Sequence, residues 1–327
     1  MADSLRESLE GLLHRADLDA LVRHVDDTCS AREWEHLVRI RDGARAAVDT
    51  GRQLWPIATL ANYRMALWAP AETAVLALDD TARTFMPGPV SEIIAVHHDW
   101  AQLSPFLPPG HDRSLVAYER ALRGDDISGN EPALLDTPIA VQDWEPTYEP
   151  AGYSDDGVDF PAPEVPAARE HASRGDGESV DDPETENAFR LLVEPWTAQS
   201  NGVARCTVAE GSIEDALHAH GLDSVRIVDI DARDALEVLA WAGASGGAHG
   251  KRRGLATGRS NAWWMLAAFT GMDEEWPCDP DEFGEVVSGL RFAWWEVPGE
   301  TDGWRLQIAI EDADEDVSCV LFAHDRT

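Results

Sequence analysis

The residues whose types and spacing could do chemistry are concentrated between positions 238 and 272. The chain holds 61 Asp and Glu in 327 residues, so this stretch should in proportion hold about six or seven acids, yet it holds none. It includes the only lysine of the chain, and small residues recur at every fourth position from Ala242 to Ala262. Glycine N–H groups and guanidinium groups can together hold an anion. The candidate binding residues are His249, Lys251, Arg252, Arg253, Arg259 and Ser260.

The sequence leaves three interpretations open for residues 246–259, which we call the basic patch. Small residues at helical spacing would form a slim ridge against which another backbone can pack closely. Alternatively, the patch would dock an acidic segment, either of the chain itself or of a partner protein. The third interpretation is a site for a phosphate-bearing ligand, although the pattern GxxxxGK[ST] of a P-loop is absent.

A second motif could belong to an enzyme. The apolar segment from Val225 onward ends in Asp229-Ile230-Asp231, which resembles the first motif of the haloacid dehalogenase-like phosphotransferases. The resemblance implies that Asp229 is a nucleophile and Asp231 a general acid. It covers this strand only, and Ala232 and Arg233 stand where the family has a small residue followed by threonine. The residues themselves also allow a simpler role for Asp231, as the N-cap of the helix that follows.

Neither a serine hydrolase nor a metal site is supported by the remaining motifs. The letters around Ser245 fit G-x-S-x-G, but a helix is predicted where a nucleophile elbow needs a strand. The histidines form only two close groups, His97-His98 and His218-x-His220, and adjacent histidines on a helix point in different directions. The sequence therefore assigns no catalytic residue, no metal and no cofactor.

The composition limits the expected partners. A net charge of −35 and a pI of about 4.4 repel nucleic-acid phosphates and anionic membranes. No run of about 18 apolar residues that could span a membrane is present. The four cysteines, Cys29, Cys206, Cys278 and Cys319, lie far apart in sequence, which favours a reducing compartment. We therefore expect a cytoplasmic protein that binds neither nucleic acid nor membranes.

Residues 1–125 predict an all-α domain. Apolar residues recur at helical spacing, and the prolines and glycines at 87–89 and 108–110 interrupt the helices. One predicted helix runs from Trp55 to Trp68 and ends before Pro70. Because the helices are short and paired but show no fixed period, both a helical bundle and an irregular helical repeat are possible.

Residues 126–188, which we call the acidic strap, are rich in Pro, Gly, Asp and Glu. Between positions 121 and 190 there are 18 acids and 4 arginines, a net charge of −14. Aromatic residues at loose spacing predict that the first part lies extended over a domain surface; these are Trp144, Tyr148, Tyr153 and Phe160. The composition of residues 165–187 predicts a flexible linker.

Residues 189–327 predict an α+β domain that ends in an antiparallel β-meander. Strands are expected over 224–230, 292–297, 304–310 and 317–323, with helices before and between them. Adjacent strand residues face opposite ways. One of Trp294 and Trp295 should therefore lie outside the core unless both faces of the sheet are covered.

The sequence thus predicts a binding or adaptor protein whose basic patch docks an acidic segment, belonging either to the acidic strap or to a partner protein. The alternative is an enzyme or sensor that binds a phosphate-bearing small molecule at the same patch. Convergence of Asp229, Ser245 or His249 with the arginines in a pocket would favour the enzyme. Buried glycines, with arginines directed at the acidic strap, would favour docking.

Overall fold

A computed structural model divides the chain into two compact units. The described residues are 9–79, 86–127, 131–172, 174–222, 224–299 and 303–326. The first unit comprises Met1–Arg120 with Gly152–Asp159, and the second comprises Ala121–Ala151 with Phe160–Thr327. The acidic strap thus contributes its middle segment to the first unit and its flanking segments to the second. Within the described ranges, no helix has the length and apolar character needed to cross a membrane.

Short α-helices build the first unit, as the sequence predicts. They are α1 (Leu9–Arg15), α2 (Leu18–Ser30), α3 (Trp34–Asp49), α4 (Trp55–Trp68), α5 (Ala71–Ala74), α6 (Val90–Ile94), α7 (Trp100–Leu103) and α8 (His111–Leu122), with a 3₁₀ turn at Val75–Leu78. Helix α4 begins and ends where the sequence places it. It is apolar on nearly all sides, so it packs in the centre of the unit against α2, α3, α5 and α6.

A β-hairpin from the acidic strap completes the first unit. Its strands are β1 (Gly152–Ser154) and β2 (Gly157–Asp159). The buried Tyr153 hydroxyl donates to the carboxylate of Glu92 and lies over Gly88, where an added Cβ would collide with that hydroxyl. The Tyr63 hydroxyl donates to the carbonyl oxygen of Ser154 at 2.5 Å. These contacts fix the middle of the acidic strap to the helical unit.

The second unit is organised around a seven-stranded antiparallel sheet. Its strands are β3 (Glu170–His171), β4 (Ser179–Val180), β5 (Val203–Glu210), β6 (Arg226–Ile230), β7 (Arg291–Glu296), β8 (Trp304–Asp312) and β9 (Val317–Asp325), and their order across the sheet is β3-β6-β7-β8-β9-β5-β4. Strands β7, β8 and β9 pair in sequence order, with Ile308 opposite Trp294 and Leu321. They are the terminal meander that the sequence predicts.

Residues 165–187 differ from the flexible linker that their composition suggests. They contribute β3 and β4, which form the two outer edges of the sheet, and the Ala172 N–H donates to the Val225 carbonyl oxygen at 3.1 Å. A sheet edge presents unpaired backbone groups that can pair with almost any extended segment. The two-residue strands β3 and β4 can therefore pair with the sheet without apolar side chains. For this reason the sequence of residues 165–187 does not predict them.

Helices cover both faces of this sheet. The helices of the second unit are α9 (Pro183–Leu192), α10 (Glu194–Ala198), α11 (Ile213–Ala219), α12 (Ala232–Ala244), α13 (Leu255–Phe269) and α14 (Pro280–Gly289), with a 3₁₀ turn at Met272–Glu275. Helix α11 packs over Trp295, whereas α12 lies on the other face, where its Trp241 stacks on Trp304 at 5.3 Å between ring centroids. Trp294 and Trp295 are accordingly both buried.

One histidine is enclosed between α11 and the sheet. The Nδ1 atom of His220 lies 2.8 Å from the Thr207 hydroxyl, and its ring lies beside Trp295 and Phe322. Burial, and to a smaller extent the positive charge of Arg205, lowers the pKa of His220 from 6.5 to about 4. The folded chain therefore keeps this ring neutral at a pH where the unfolded chain protonates it.

We predict that His220 makes the second unit less stable as the pH falls from 6.5 to about 4. In this window the unfolded state binds a proton that the folded state does not, so the free energy of unfolding decreases. The variant His220→Gln should lose this part of the pH dependence, as measured by urea unfolding at several pH values. His171→Gln, on the exposed edge strand β3, is the matched control, and equal slopes in all three proteins would contradict the assignment.

Candidate functional site

The basic patch is part loop and part helix. Residues 245–254 connect α12 to α13, and only the end of the patch, from Leu255, is helical. The Gly250 N–H donates to the Gly246 carbonyl oxygen at 2.8 Å, which closes a tight turn. Gly247 has φ +64° and Gly254 has φ +87°, both in the left-handed region that favours glycine.

Glycine also permits the close crossing of α12 and α13. A Cβ on Gly258 would collide with the carbonyl oxygen of Ala240 and lie 2.5 Å from the amide nitrogen of Ala244. A Cβ on Gly243 of α12 would lie 3.1 Å from the Cα atom of Gly258. Of the repeated small residues, Gly258 therefore serves backbone packing at this crossing, whereas Gly246, Gly250 and Gly254 lie in the loop before α13.

The glycine-rich turn does hold an anion, and that anion is a carboxylate of the same chain. Asp325, at the end of β9, is fully buried. One of its oxygens accepts from the Ala248 N–H at 2.6 Å, and the other accepts from the Ser200 hydroxyl at 3.0 Å. A Cβ on Gly247 would collide with this carboxylate. Sequence reasoning missed Asp325, because it lies 77 residues from Ala248 and has no local motif.

Arg259 binds a second carboxylate, that of Glu145 in the acidic strap. The guanidinium donates from Nε to Oε2 at 2.7 Å and from one terminal nitrogen to Oε1 at 2.6 Å, and neither side chain is exposed. The carboxylate also accepts from the Tyr148 hydroxyl, the Trp263 indole and the Gln142 N–H. Burial alone would raise the pKa of Glu145, but these hydrogen bonds and the Arg259 charge outweigh it and lower the pKa.

Arg253 fastens the ends of two helices. Its terminal nitrogens donate to the carbonyl oxygens of Leu191 (2.8 Å) and Leu192 at the end of α9, and its Nε donates to that of Gly243 near the end of α12 (2.9 Å). Carbonyl groups in the last turn of a helix have no partner within the helix, and a cation suits them. Burial lowers the pKa of Arg253 to about 10, against the opposing charge of Glu194.

The other candidate residues do not converge on one point. The Ser260 hydroxyl donates to the carbonyl oxygen of Leu135 in the acidic strap at 2.9 Å. The guanidinium carbon of Arg252 lies 3.9 Å from the centroid of the Phe160 ring. His249 and Lys251 are exposed. The six candidates are therefore divided between buried contacts with the chain itself and an exposed edge.

The enzyme-like motifs have structural roles in the second unit. The Asp231 side chain accepts from the Asp234 N–H at 2.8 Å, so it is the N-cap of α12, and Asp229 pairs with Arg291 at 3.1 Å. Ser245 is fully buried and accepts from the Trp196 indole at 2.9 Å. Across the part of the chain that the structure describes, no three His, Cys, Asp or Glu side chains are grouped so that they could hold a metal ion.

We predict that Gly258→Ala destabilises the second unit by about 1 to 3 kcal/mol, the usual cost of overpacking a core. The added methyl group has no room against Ala240 and Ala244, so α12 and α13 must separate. Gly289→Ala in α14 is the matched control, because a Cβ there meets nothing within 4 Å. Urea unfolding followed by tryptophan fluorescence measures both, and an equal effect of the two substitutions would refute the close crossing.

Arg259→Met should lower the free energy of unfolding by about 3 to 5 kcal/mol, because it leaves the Glu145 carboxylate buried without its counter-ion. The control Arg233→Met also removes an arginine that contacts the acidic strap, at the Asp143 carbonyl oxygen, but this arginine is exposed. We expect it to cost about 1 kcal/mol or less. Similar losses in the two variants, measured by urea unfolding, would contradict this account of the ion pair.

Comparison with known proteins adds a family but no function. Residues 19–327 match a family described as "Family of unknown function (DUF6183)". No curated protein and no solved structure matches the chain. The matched region contains the acidic strap, the basic patch and nearly all of the helical unit. The chain therefore belongs to the DUF6183 family.

Proposed function

We propose that this chain is a binding or adaptor protein, in which the basic patch docks the acidic strap and leaves an exposed basic edge for a partner protein. The observation that carries the proposal is the bidentate pair between Arg259 and Glu145, both fully buried. Charges are costly to bury unless their geometry and hydrogen bonds compensate. The Glu145 carboxylate accepts five hydrogen bonds. It therefore fixes the register of the acidic strap on α13, as a stable scaffold requires.

The exposed edge of the patch suits the docking of a partner's acidic segment. Lys251 and His249 are exposed, and Arg252 lies over Phe160. Phe160 lines an open cleft of about 480 Å³ together with Trp241, Trp304 and Arg305. A segment with a carboxylate beside an aromatic or apolar residue would match both the basic edge and this aromatic cleft.

The alternative, a site for a phosphate-bearing small molecule, receives less support from these contacts. Arg259 is bound to Glu145, and Arg253 is bound to helix carbonyl groups. The turn's Ala248 N–H already donates to Asp325. A phosphate would have to compete with these partners or bind to Lys251 at the surface, where solvent and salt weaken the attraction.

A binding experiment with a labelled acidic peptide tests the proposal. The probe is a Glu-rich peptide with one Phe, followed by fluorescence anisotropy at low and at physiological salt. We expect salt-sensitive binding, weakened about tenfold or more in Lys251→Glu/Arg252→Glu because each charge reversal turns attraction into repulsion. Arg226→Glu, which reverses an exposed arginine on β6, is the matched control and should bind as the wild type does.

The same double variant distinguishes the docking of an acidic segment from the alternative, a site for a phosphate-bearing small molecule. Inorganic phosphate, nucleotides and sugar phosphates are tested for thermal stabilisation of the wild type. Stabilisation by one of them that is lost in Lys251→Glu/Arg252→Glu, without peptide binding, would support the phosphate site and overturn the docking proposal. If neither probe binds, the exposed edge has no such role, and the patch serves the internal architecture only.

A further inference from the structure

A separate cleft in the first unit has the size of a small-molecule site. It has a volume of about 490 Å³, within the range of about 300 to 1,000 Å³ usual for ligand pockets. The end of α2, the turn that follows it, the start of α3 and the end of α4 form its walls, and the tip of the strap hairpin completes it. The residues that matter below are Cys29, Arg32, Trp34, Trp68 and Asp155.

Two indole rings supply the aromatic walls. Trp68 is 42% exposed although it is one of the largest apolar side chains. One of its faces is stacked on His97, at 4.7 Å between centroids and 18° between planes. Trp34 lines the same cleft. Indole faces attract cations, and aromatic walls of this kind recognise alkylated ammonium groups.

A carboxylate of fixed position lines the same cleft. Oδ1 of Asp155 accepts from the Trp68 indole at 2.8 Å and from Arg64, whose side chain is only 12% exposed and which also contacts Asp26 at 3.4 Å. Within the described part of the chain, Oδ2 of Asp155 has no hydrogen-bond partner. The carboxylate is thus held through one oxygen and can accept a ligand's donor or cation with the other.

A cation lines the same cleft. Arg32 follows α2 with φ +57°, the left-handed position at which a helix end usually carries glycine or asparagine. The Arg32 N–H donates to the Cys29 carbonyl oxygen, and the Glu33 N–H donates to that of Thr28. An arginine here is strained relative to glycine. Among the described residues, its guanidinium has no partner.

We propose that this cleft binds a small organic zwitterion, whose ammonium group lies between the indoles and Asp155 and whose anionic group lies at Arg32. A ligand with a positive charge alone would be repelled by Arg32, and one with a negative charge alone would be repelled by Asp155 and Asp26. Amino acids and betaines carry both charges. The inference is independent of the proposed function, because every residue in it belongs to the first unit.

The thiol of Cys29 provides a reporter inside the cleft. Burial raises its pKa, as do Asp155 and Asp26, whereas Arg64 opposes the shift. The thiol is therefore protonated near neutral pH and reacts slowly with iodoacetamide. A ligand in the cleft should slow this alkylation further. Cys278 in the second unit is also partly exposed and serves as the internal control.

The test uses the full chain with the twenty amino acids and glycine betaine, each at up to about 10 mM, which detects affinities down to the millimolar range. We expect at least one of them to bind by calorimetry and to slow alkylation of Cys29 but not of Cys278, as read by peptide mass spectrometry. Choline and acetate, which carry one charge each, should bind more weakly than the zwitterion.

Substitutions separate binding from folding. Asp155→Asn and Arg32→Gln should each weaken binding by about tenfold or more, since each removes a charge-assisted contact. Asp19→Asn and Arg23→Gln, exposed on α2, are the matched controls. Arg32→Gly is decisive, because glycine relieves the backbone strain: this variant should unfold at a higher temperature than the wild type and yet lose the ligand.

Two outcomes would overturn the proposal. The first is that none of these compounds binds or protects Cys29. The second is that binding occurs but persists unchanged in both Asp155→Asn and Arg32→Gln. Neither outcome bears on the acidic-peptide experiment with the second unit, so the two proposals fail separately.

Discussion

The ion pair between Arg259 and Glu145 is the contact on which the position of the acidic strap in the second unit depends. Neither side chain is exposed, and the carboxylate has every hydrogen bond it needs from Arg259, Tyr148, Trp263 and the Gln142 N–H. Trp144 of the strap packs beside it on Trp263, at 5.0 Å between centroids. An additional carboxylate on this part of α13 would compete for the same guanidinium without being able to reach water. This offers a physical reason for the absence of acids from this part of α13.

The chemistry suggested by the basic patch is present, with carboxylates of the same chain as the anions. The Ala248 N–H of the glycine-rich turn donates to Asp325, and a guanidinium holds Glu145. Arg253 meets a different need, the carbonyl groups at two helix ends. This arrangement suits a strongly acidic chain, because Arg259 neutralises one carboxylate inside the second unit and hydrogen bonds satisfy another, that of Asp325. The exposed remainder, Lys251 and its neighbours, is a small basic edge on a negative protein.

The sequence predicted the elements better than it predicted their partners. Periodicity and proline locate α4, and β-branched runs locate the strands of the meander, because both signals are local. Burial of both Trp294 and Trp295 follows once helices cover both sheet faces. Glu145 was one of eighteen acids in its region, and nothing in its neighbourhood distinguished it. Its pairing with Arg259 spans 114 residues and depends on tertiary register, which a single sequence does not carry.

The cleft beside Trp68 could likewise not be predicted from the sequence. Its residues come from the ends of three helices, from the segments beside them, from His98 before α7 and from the tip of the strap hairpin, and no motif joins them in sequence. The strained backbone at Arg32 is visible only when φ is known. The acidic strap therefore contributes to both units, through Asp155 in the first and Glu145 in the second.

A double-mutant cycle between Arg259 and Glu145 tests the central claim most directly. The free energies of unfolding of the wild type, Arg259→Met, Glu145→Gln and the double variant give the coupling energy of the pair. A buried, bidentate pair predicts a coupling of about 2 kcal/mol or more, with the double variant more stable than the two single losses imply. Losses that add to within about 0.5 kcal/mol would mean that the two side chains act independently. The acidic strap would then not be held by this ion pair.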